Sequence, residues 1–144
     1  MADNTVVVGT TRTQGRFLAE ARERLLVVDS TDSRGGRGQA WLAGELLLAA
    51  LGACATSSVT HFAREEAIAL DDVEAKVSYT RHPTDPTAYE EVVLEVTTWG
   101  VTREEADLLV RLYTENCPVY GTTSRGATVR VAVDARTGRA EADR

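Results

Sequence analysis

The sequence is poor in the residue types that build metal centres and cross-linked scaffolds: its 144 residues include two cysteines and two histidines. Two cysteines do not make a disulfide framework, and without companion ligands they do not make a zinc site. No metal and no organic cofactor is implied. Positive charge is in deficit as well, 16 Lys and Arg against 22 Asp and Glu, for a formal charge of −6. That balance argues against nonspecific binding to nucleic acid or to an anionic membrane, both of which need a basic face. The most apolar stretch, residues 46–59, is about 14 residues long and holds Thr56, Ser57 and Ser58, which is too short to cross a bilayer. The first residues, MADNTVVVGTTRTQG, carry acid where a secretory signal carries a basic region and an apolar run, so a cytoplasmic protein is expected. No repeat period is visible.

What is present describes one ordinary domain over residues 1–144: 43% hydrophobic and 26% charged residues exclude both a disordered and a fibrous chain. Residues 5–8, 16–21 and 25–29 are rich in β-branched and apolar types and are broken by TRTQG and by Arg22 to Arg24, a strand meander. STDSRGGRGQ follows with nothing to bury, a surface loop with the composition of a mobile one; meander and loop together take residues 5–40. Good helix formers then run over residues 42–67, with Gly52 as the interior weakness. Leu46, Leu47, Leu48, Ala49, Ala50 and Leu51 are apolar all around this helix, so it needs cover on several sides, from partner elements or a dimer interface.

Residues 73–136 hold the remaining elements. Val73, Ala75, Val77 and Tyr79 alternate with polar residues, as do Val92, Leu94 and Val96 beyond the turn RHPTDPTAYEE, which marks two strands with one wet face each. Thr102 and Glu105 have the spacing of a capping box, and Leu108, Leu109, Leu112 and Tyr113 make the apolar stripe of a second helix. Val129, Val131 and Val133 form a last strand before a polar tail, residues 137–144. Strands on both sides of a long helix, without regular alternation, predict an α+β fold with antiparallel sheet.

The two cysteines sit in unlike contexts. Cys117 directly precedes Pro118, a residue favoured at the first position of a helix. At such an N-cap the positive end of the helix dipole favours thiolate over thiol; alternatively, the proline simply ends the preceding helix at that point. Cys54 lies in AALGACATSS, where a small buried hydrophobe is the ordinary reading. His61 follows it by seven residues and shares its helix face; Tyr120 and Arg125 flank the Cys-Pro turn.

The segments ELLLAALGAC and CPVYGTTSRG, with 63 positions between the thiols, resemble the OsmC/Ohr family of osmotically induced and organic hydroperoxide resistance proteins, in its OsmC-like branch. The resemblance implies an intertwined α+β homodimer with long central helices in a shared core. It implies a thiol peroxidase acting on small organic hydroperoxides, with Cys54 peroxidatic, Cys117 resolving, and a dithiol reductant to restore the pair. It also implies an activating arginine from the strand region, for which Arg12 is the first choice and Arg16 the second, and an orienting glutamate near the helix start. Where the hydroperoxide-resistance branch has a Thr-Asn-Pro-Glu run this chain reads WLAGELLL, with Gly44 at the glutamate offset and Glu45 one residue nearer, about 100° around the helix. Glu45 is the candidate partner of the arginine, and Arg34 and Arg37 are outside candidates for the arginine itself. Two other functions remain open: a small-molecule binding protein on the same scaffold without turnover, and a chain whose cysteines are only structural. The distance between the cysteines discriminates, since a disulfide needs Cα atoms within about 7 Å.

Overall fold

The computed structural model describes residues 4–126, 130 and 132. Three strands, β1 (Val7–Thr10), β2 (Arg16–Ala21) and β3 (Arg24–Asp29), pair antiparallel in chain order. A loop containing one short 3-10 turn leads to α1 (Ala43–Glu65). A long antiparallel hairpin follows, β4 (Asp72–Arg81) and β5 (Tyr89–Trp99), and then α2 (Arg103–Asn116) and α3 (Pro118–Arg125). The expected strand at Val129, Val131 and Val133 and the tail at 137–144 lie outside the described residues.

The alternation read in β4 is realised: Val73, Ala75, Val77 and Tyr79 turn inward while Asp72, Glu74, Lys76 and Ser78 stay wet. The capping box of α2 also forms, with Thr102 Oγ1 accepting the Glu105 N–H at 3.2 Å and Glu105 Oε2 accepting the Thr102 N–H at 2.8 Å. One face of α1, Leu51, Ala55, Val59 and Ala63, recurs every fourth residue and is fully buried. Three of these, Ala55, Val59 and Ala63, form a continuous core with Leu109 and Tyr113 of α2 and with Cys117, and Val73, Ala75, Leu94 and Val96 of the hairpin close it from the other side. Gly52 lets α1 approach the hairpin, because a Cβ there would stand 3.3 Å from Val77 Cγ2.

Among the described residues, cover on several sides of α1 is not supplied within the single chain. Leu47, Ala49 and Ala50 are exposed, and Leu46 and Leu48 are only half-buried, because the hairpin and α2 pack on one side and, among the described residues, no element covers the other. The helix is also longer than its apolar stretch suggests: 23 residues, with an 18-residue window of mean hydropathy 1.5, long and apolar enough to span a membrane by length and composition. Its buried stripe in a protein core accounts for the same apolarity.

The meander stands apart from this core. Its buried residues are Ala19, Val28 and Asp29, and Val6, Val7, Val8 and Leu25 are each about 60% exposed. The glycine-rich loop after it lies at the surface, as its composition predicts, and hydrogen bonds hold it. Ser30 N–H donates to the Gly15 carbonyl at 2.7 Å, Gly38 N–H to the Ser30 carbonyl at 3.2 Å, and Gly36 packs so close to Ser30 that a Cβ would overlap its backbone.

Candidate functional site

Pro118 shapes the site. Its ring disfavours helical backbone at the preceding residue, so α2 stops and Cys117 adopts extended angles, φ −91° and ψ 116°. Proline at the first position then starts α3 with no N–H to waste. Cys117 is therefore a joint held on both sides. Its N–H donates to the Tyr113 carbonyl at 2.9 Å, its carbonyl accepts the Gly121 N–H at 2.9 Å, and its Sγ accepts the Tyr120 N–H at 3.4 Å. The N-cap expected from the sequence is present, on a cysteine that is 5% exposed.

Cys54 occupies the middle of α1, half-buried beside the Leu51–Ala55 stripe. The packing of α1 against α2 and α3 brings the two cysteines together: their Cα atoms are 7.0 Å apart and their sulfurs are bonded as a disulfide across 63 positions of sequence. Tyr113 and Tyr120 flank this bond on the α2–α3 side with ring centroids 5.6 Å apart. The Tyr113 hydroxyl is buried with no hydrogen-bond partner among the described residues, and burial pushes its pKa up. Arg125 folds back over Gly121, and His61 is exposed with its ring against Phe62.

The charged candidates are placed differently from the thiols. Arg12 is exposed in the turn between β1 and β2. Arg16, the second choice, is committed elsewhere: its Nε and Nη2 donate to the two carboxylate oxygens of Asp29 at 2.7 and 3.0 Å. Asp29, 4% exposed, also accepts the N–H groups of Gln39 and Ala40 at 2.9 and 3.1 Å. The Arg16 guanidinium, aided by those backbone donors, holds its carboxyl down at about 2. Glu45 bends back on its own helix, where Oε2 accepts the Leu42 N–H at 2.9 Å; Leu42 has no side-chain oxygen to return the bond, so half a capping box forms. Among the described residues neither Arg12 nor Glu45 makes a hydrogen bond or ion pair with a cysteine or with the other.

Asp29 is the residue that sequence reading missed. Its signal was an acid closing the apolar strand RLLVVD, a place where a carboxylate survives only if paired. A cavity of about 870 Å³ lies between the start of α1 and the hairpin tip and reaches Glu45, and a smaller apolar groove runs along α1 past Glu45, Ala49 and Ala53. Neither contains a cysteine. No group of His, Cys, Asp and Glu able to hold a metal occurs among the described residues.

The model of the OsmC-like protein family matches residues 36–132, two-thirds of the sequence and both cysteines. The chain belongs to this family. No curated protein matches it significantly. Among solved structures, the OsmC-like chain is similar to an organic hydroperoxide resistance protein OsmC from Legionella pneumophila, with 27% identity, 88% of this chain and 91% of that chain covered, and a TM-score of 0.65. It is similar to the organic hydroperoxide resistance protein OhrB of Bacillus subtilis at 26% identity, with coverage of 87% and 92% and a TM-score of 0.62. A hypothetical protein from Aquifex aeolicus, at 20% identity and a TM-score of 0.73 over 88% of this chain and 90% of that one, shares the fold. The arrangement of antiparallel sheets and a long central helix is thus the α+β fold of OsmC and Ohr structures.

Chemically, the OsmC-like chain holds a dithiol/disulfide pair in a core otherwise made of aliphatic and aromatic side chains. Such a pair cycles between two oxidation states by two electrons, and an apolar surrounding favours an alkyl-bearing reactant over water.

Proposed function

We propose that this OsmC-like chain is a cysteine-based peroxidase that reduces organic hydroperoxides at the expense of a dithiol, in oxidative stress defence. The observation that carries the reading is the Cys54–Cys117 bond, which joins two separate elements in a family whose relatives include hydroperoxide resistance proteins.

In the proposed cycle the Cys54 thiolate attacks the terminal peroxide oxygen. The O–O bond breaks, the alkoxide takes a proton and leaves as alcohol, and Cys54 becomes a sulfenic acid. Cys117 attacks that sulfur, water leaves, and the disulfide forms. A dithiol then returns both thiols and is itself oxidised to a disulfide, so two electrons pass from dithiol to hydroperoxide in each turn. Arg12 is the proposed activator of Cys54 and Glu45 its orienting carboxylate, roles that need both to be brought to the thiol by a second copy of the chain. The bare valines and leucines of the meander and the uncovered side of α1 support a homodimer, in which each would gain cover. The cytoplasm, where dithiol reductants keep such a pair turning over, is the proposed location.

The test is oxidation of reduced protein by one equivalent of cumene hydroperoxide, followed by thiol counting and intact mass. Both thiols should be lost to an intramolecular disulfide, Cys54→Ser should abolish the reaction, and Cys117→Ser should leave a sulfenic acid that dimedone traps. Survival of both thiols in excess oxidant rejects the peroxidase. The cavity at the start of α1, which contains neither cysteine, favours the second reading, a small-molecule binding protein without turnover.

A further inference from the structure

The thiol chemistry leaves one cavity without a role. The space of about 870 Å³ at the start of α1 contains neither cysteine and has the size of a small-molecule site. It lies on the hairpin side of α1, where Gly44 meets Tyr79 and Gly52 meets Val77, not on the side of Leu47 and Ala50 that a second copy would cover. Part of its wall is aromatic. Tyr79 of β4 and Tyr89 of β5 stack with ring centroids 4.0 Å apart and planes at 20°. Gly44 admits them: a Cβ there would stand 3.0 Å from the Tyr89 hydroxyl oxygen and 3.7 Å from that of Tyr79, so both phenol groups reach the first turn of α1.

The charged groups around this wall differ in what they are already bound to. Asp29 is held by Arg16 and by the Gln39 and Ala40 N–H groups, and Glu45 accepts the Leu42 N–H. Asp85 accepts the Thr87 N–H and hydroxyl at 2.8 and 2.6 Å. Arg34, from the loop, and Arg81, from the end of β4, form no ion pair among the described residues. The Arg81 guanidinium instead stands over the Tyr79 ring, 5.8 Å from its centroid. His82 adds a further donor. Its Nδ1 accepts the Thr84 and Asp85 N–H groups at 3.3 and 2.9 Å, which leaves the proton of the neutral ring on Nε2. The acids are thus engaged, and the side chains still open to a ligand are donors, two of them cationic. A guanidinium pairs with a carboxylate through two parallel N–H···O bonds, and a ring packs well against tyrosine. Because Glu45 and Asp85 keep their charge, a dianion is opposed here where a monoanion is not.

We infer that this cavity is a binding site for a small aromatic carboxylate, its anionic group held by Arg34 and Arg81 and its ring set against the Tyr79–Tyr89 pair. The inference gives a ligand class to the binding reading above and does not depend on turnover at the thiols, since no sulfur takes part. In a peroxidase the same cavity is a second site, separate from the disulfide.

The test is isothermal titration calorimetry of the full, oxidised chain with 2-naphthoate, with 2-naphthamide as its uncharged counterpart and 2-naphthyl phosphate as the dianion. Naphthoate should bind saturably, one ligand per chain, and the amide about ten-fold more weakly, the loss expected when a charge-assisted pair is removed. Arg34→Gln and Arg81→Gln, both at exposed positions, should each weaken naphthoate by about ten-fold as well. Tyr89→Ala should weaken acid and amide alike, because both carry the ring. No saturable heat at millimolar naphthoate overturns the proposal. So does equal binding of acid and amide, a preference for the phosphate, or an affinity unchanged in both arginine variants. Hydroperoxide oxidation reads the thiols and calorimetry reads the cavity, so failure of either leaves the other result standing.

Discussion

Reducing the Cys54–Cys117 bond should destabilise the protein by an amount set by the length of chain it closes. The bond spans 63 positions and ties α1, the hairpin and α2 into one loop. Chain-entropy accounting for a loop of that size gives about 4 kcal/mol of stabilisation, acting through the unfolded state, which the cross-link keeps compact. Reduction by a phosphine leaves every side chain in place, so the comparison between oxidised and reduced protein isolates the bond from packing changes. With a urea slope of about 2 kcal/mol per M, expected for a domain of this size, the midpoint should fall by about 2 M. The assay is far-ultraviolet circular dichroism in urea at several fixed protein concentrations, because any self-association adds its own concentration-dependent stability. The packing of Val59, Leu109 and Tyr113 against one another remains when the bond is cut and should keep the reduced chain folded in dilute urea. A midpoint unchanged within about 0.5 M would refute the reasoning, since it would mean that the unfolded chain is not constrained by the bond or that the bond strains the native state as much as it helps.

Other consequences are equally direct. The Asp29 carboxyl, held down at about 2 in the fold against 3.8 ordinarily, contributes stability that is present above pH 4 and is lost as pH falls toward 2. Asp29→Asn should therefore flatten the pH dependence of the urea midpoint between pH 4 and 2, and an unaltered acid slope would count against the Arg16 pair. Leu109→Ala removes a fully buried side chain from the contact between α1 and α2 and should cost about 2–5 kcal/mol in the same denaturation assay; a loss under 1 kcal/mol would place Leu109 outside the core. Thr102→Ala deletes the side-chain half of the α2 capping box and should cost about 1 kcal/mol, with Thr102→Ser restoring most of it.

Much of the fold was legible because its signals are local. The period of two at Val73 to Tyr79 needs no partner to be recognised, and Thr102 to Glu105 closes a hydrogen-bonded box within one turn. Pro118 acts on the residue before it and the helix after it, so the N-cap at Cys117 followed from two adjacent letters. The loop at residues 30–40 was legible only as a surface loop: its glycines mark it as one, but the bonds that hold it come from Gly15 and Asp29, outside the loop. Glu45 shows the same limit on a smaller scale. Its position three residues inside the helix made capping and arginine pairing equally available, and only the backbone of Leu42 settles which bond its carboxylate makes in the single chain.

The sequence by itself therefore determined the order of elements, the wet and dry faces of the hairpin, the caps of α2 and α3, and the family, through two short cysteine segments. Only the tertiary structure decided that Cys54 and Cys117 meet, which of them is sealed and capped, that Arg16 belongs to Asp29, and which side of α1 is covered. The division follows from range. Propensity, alternation and capping act over a few residues and are written in neighbouring letters, whereas pairing and burial depend on which distant elements pack against each other.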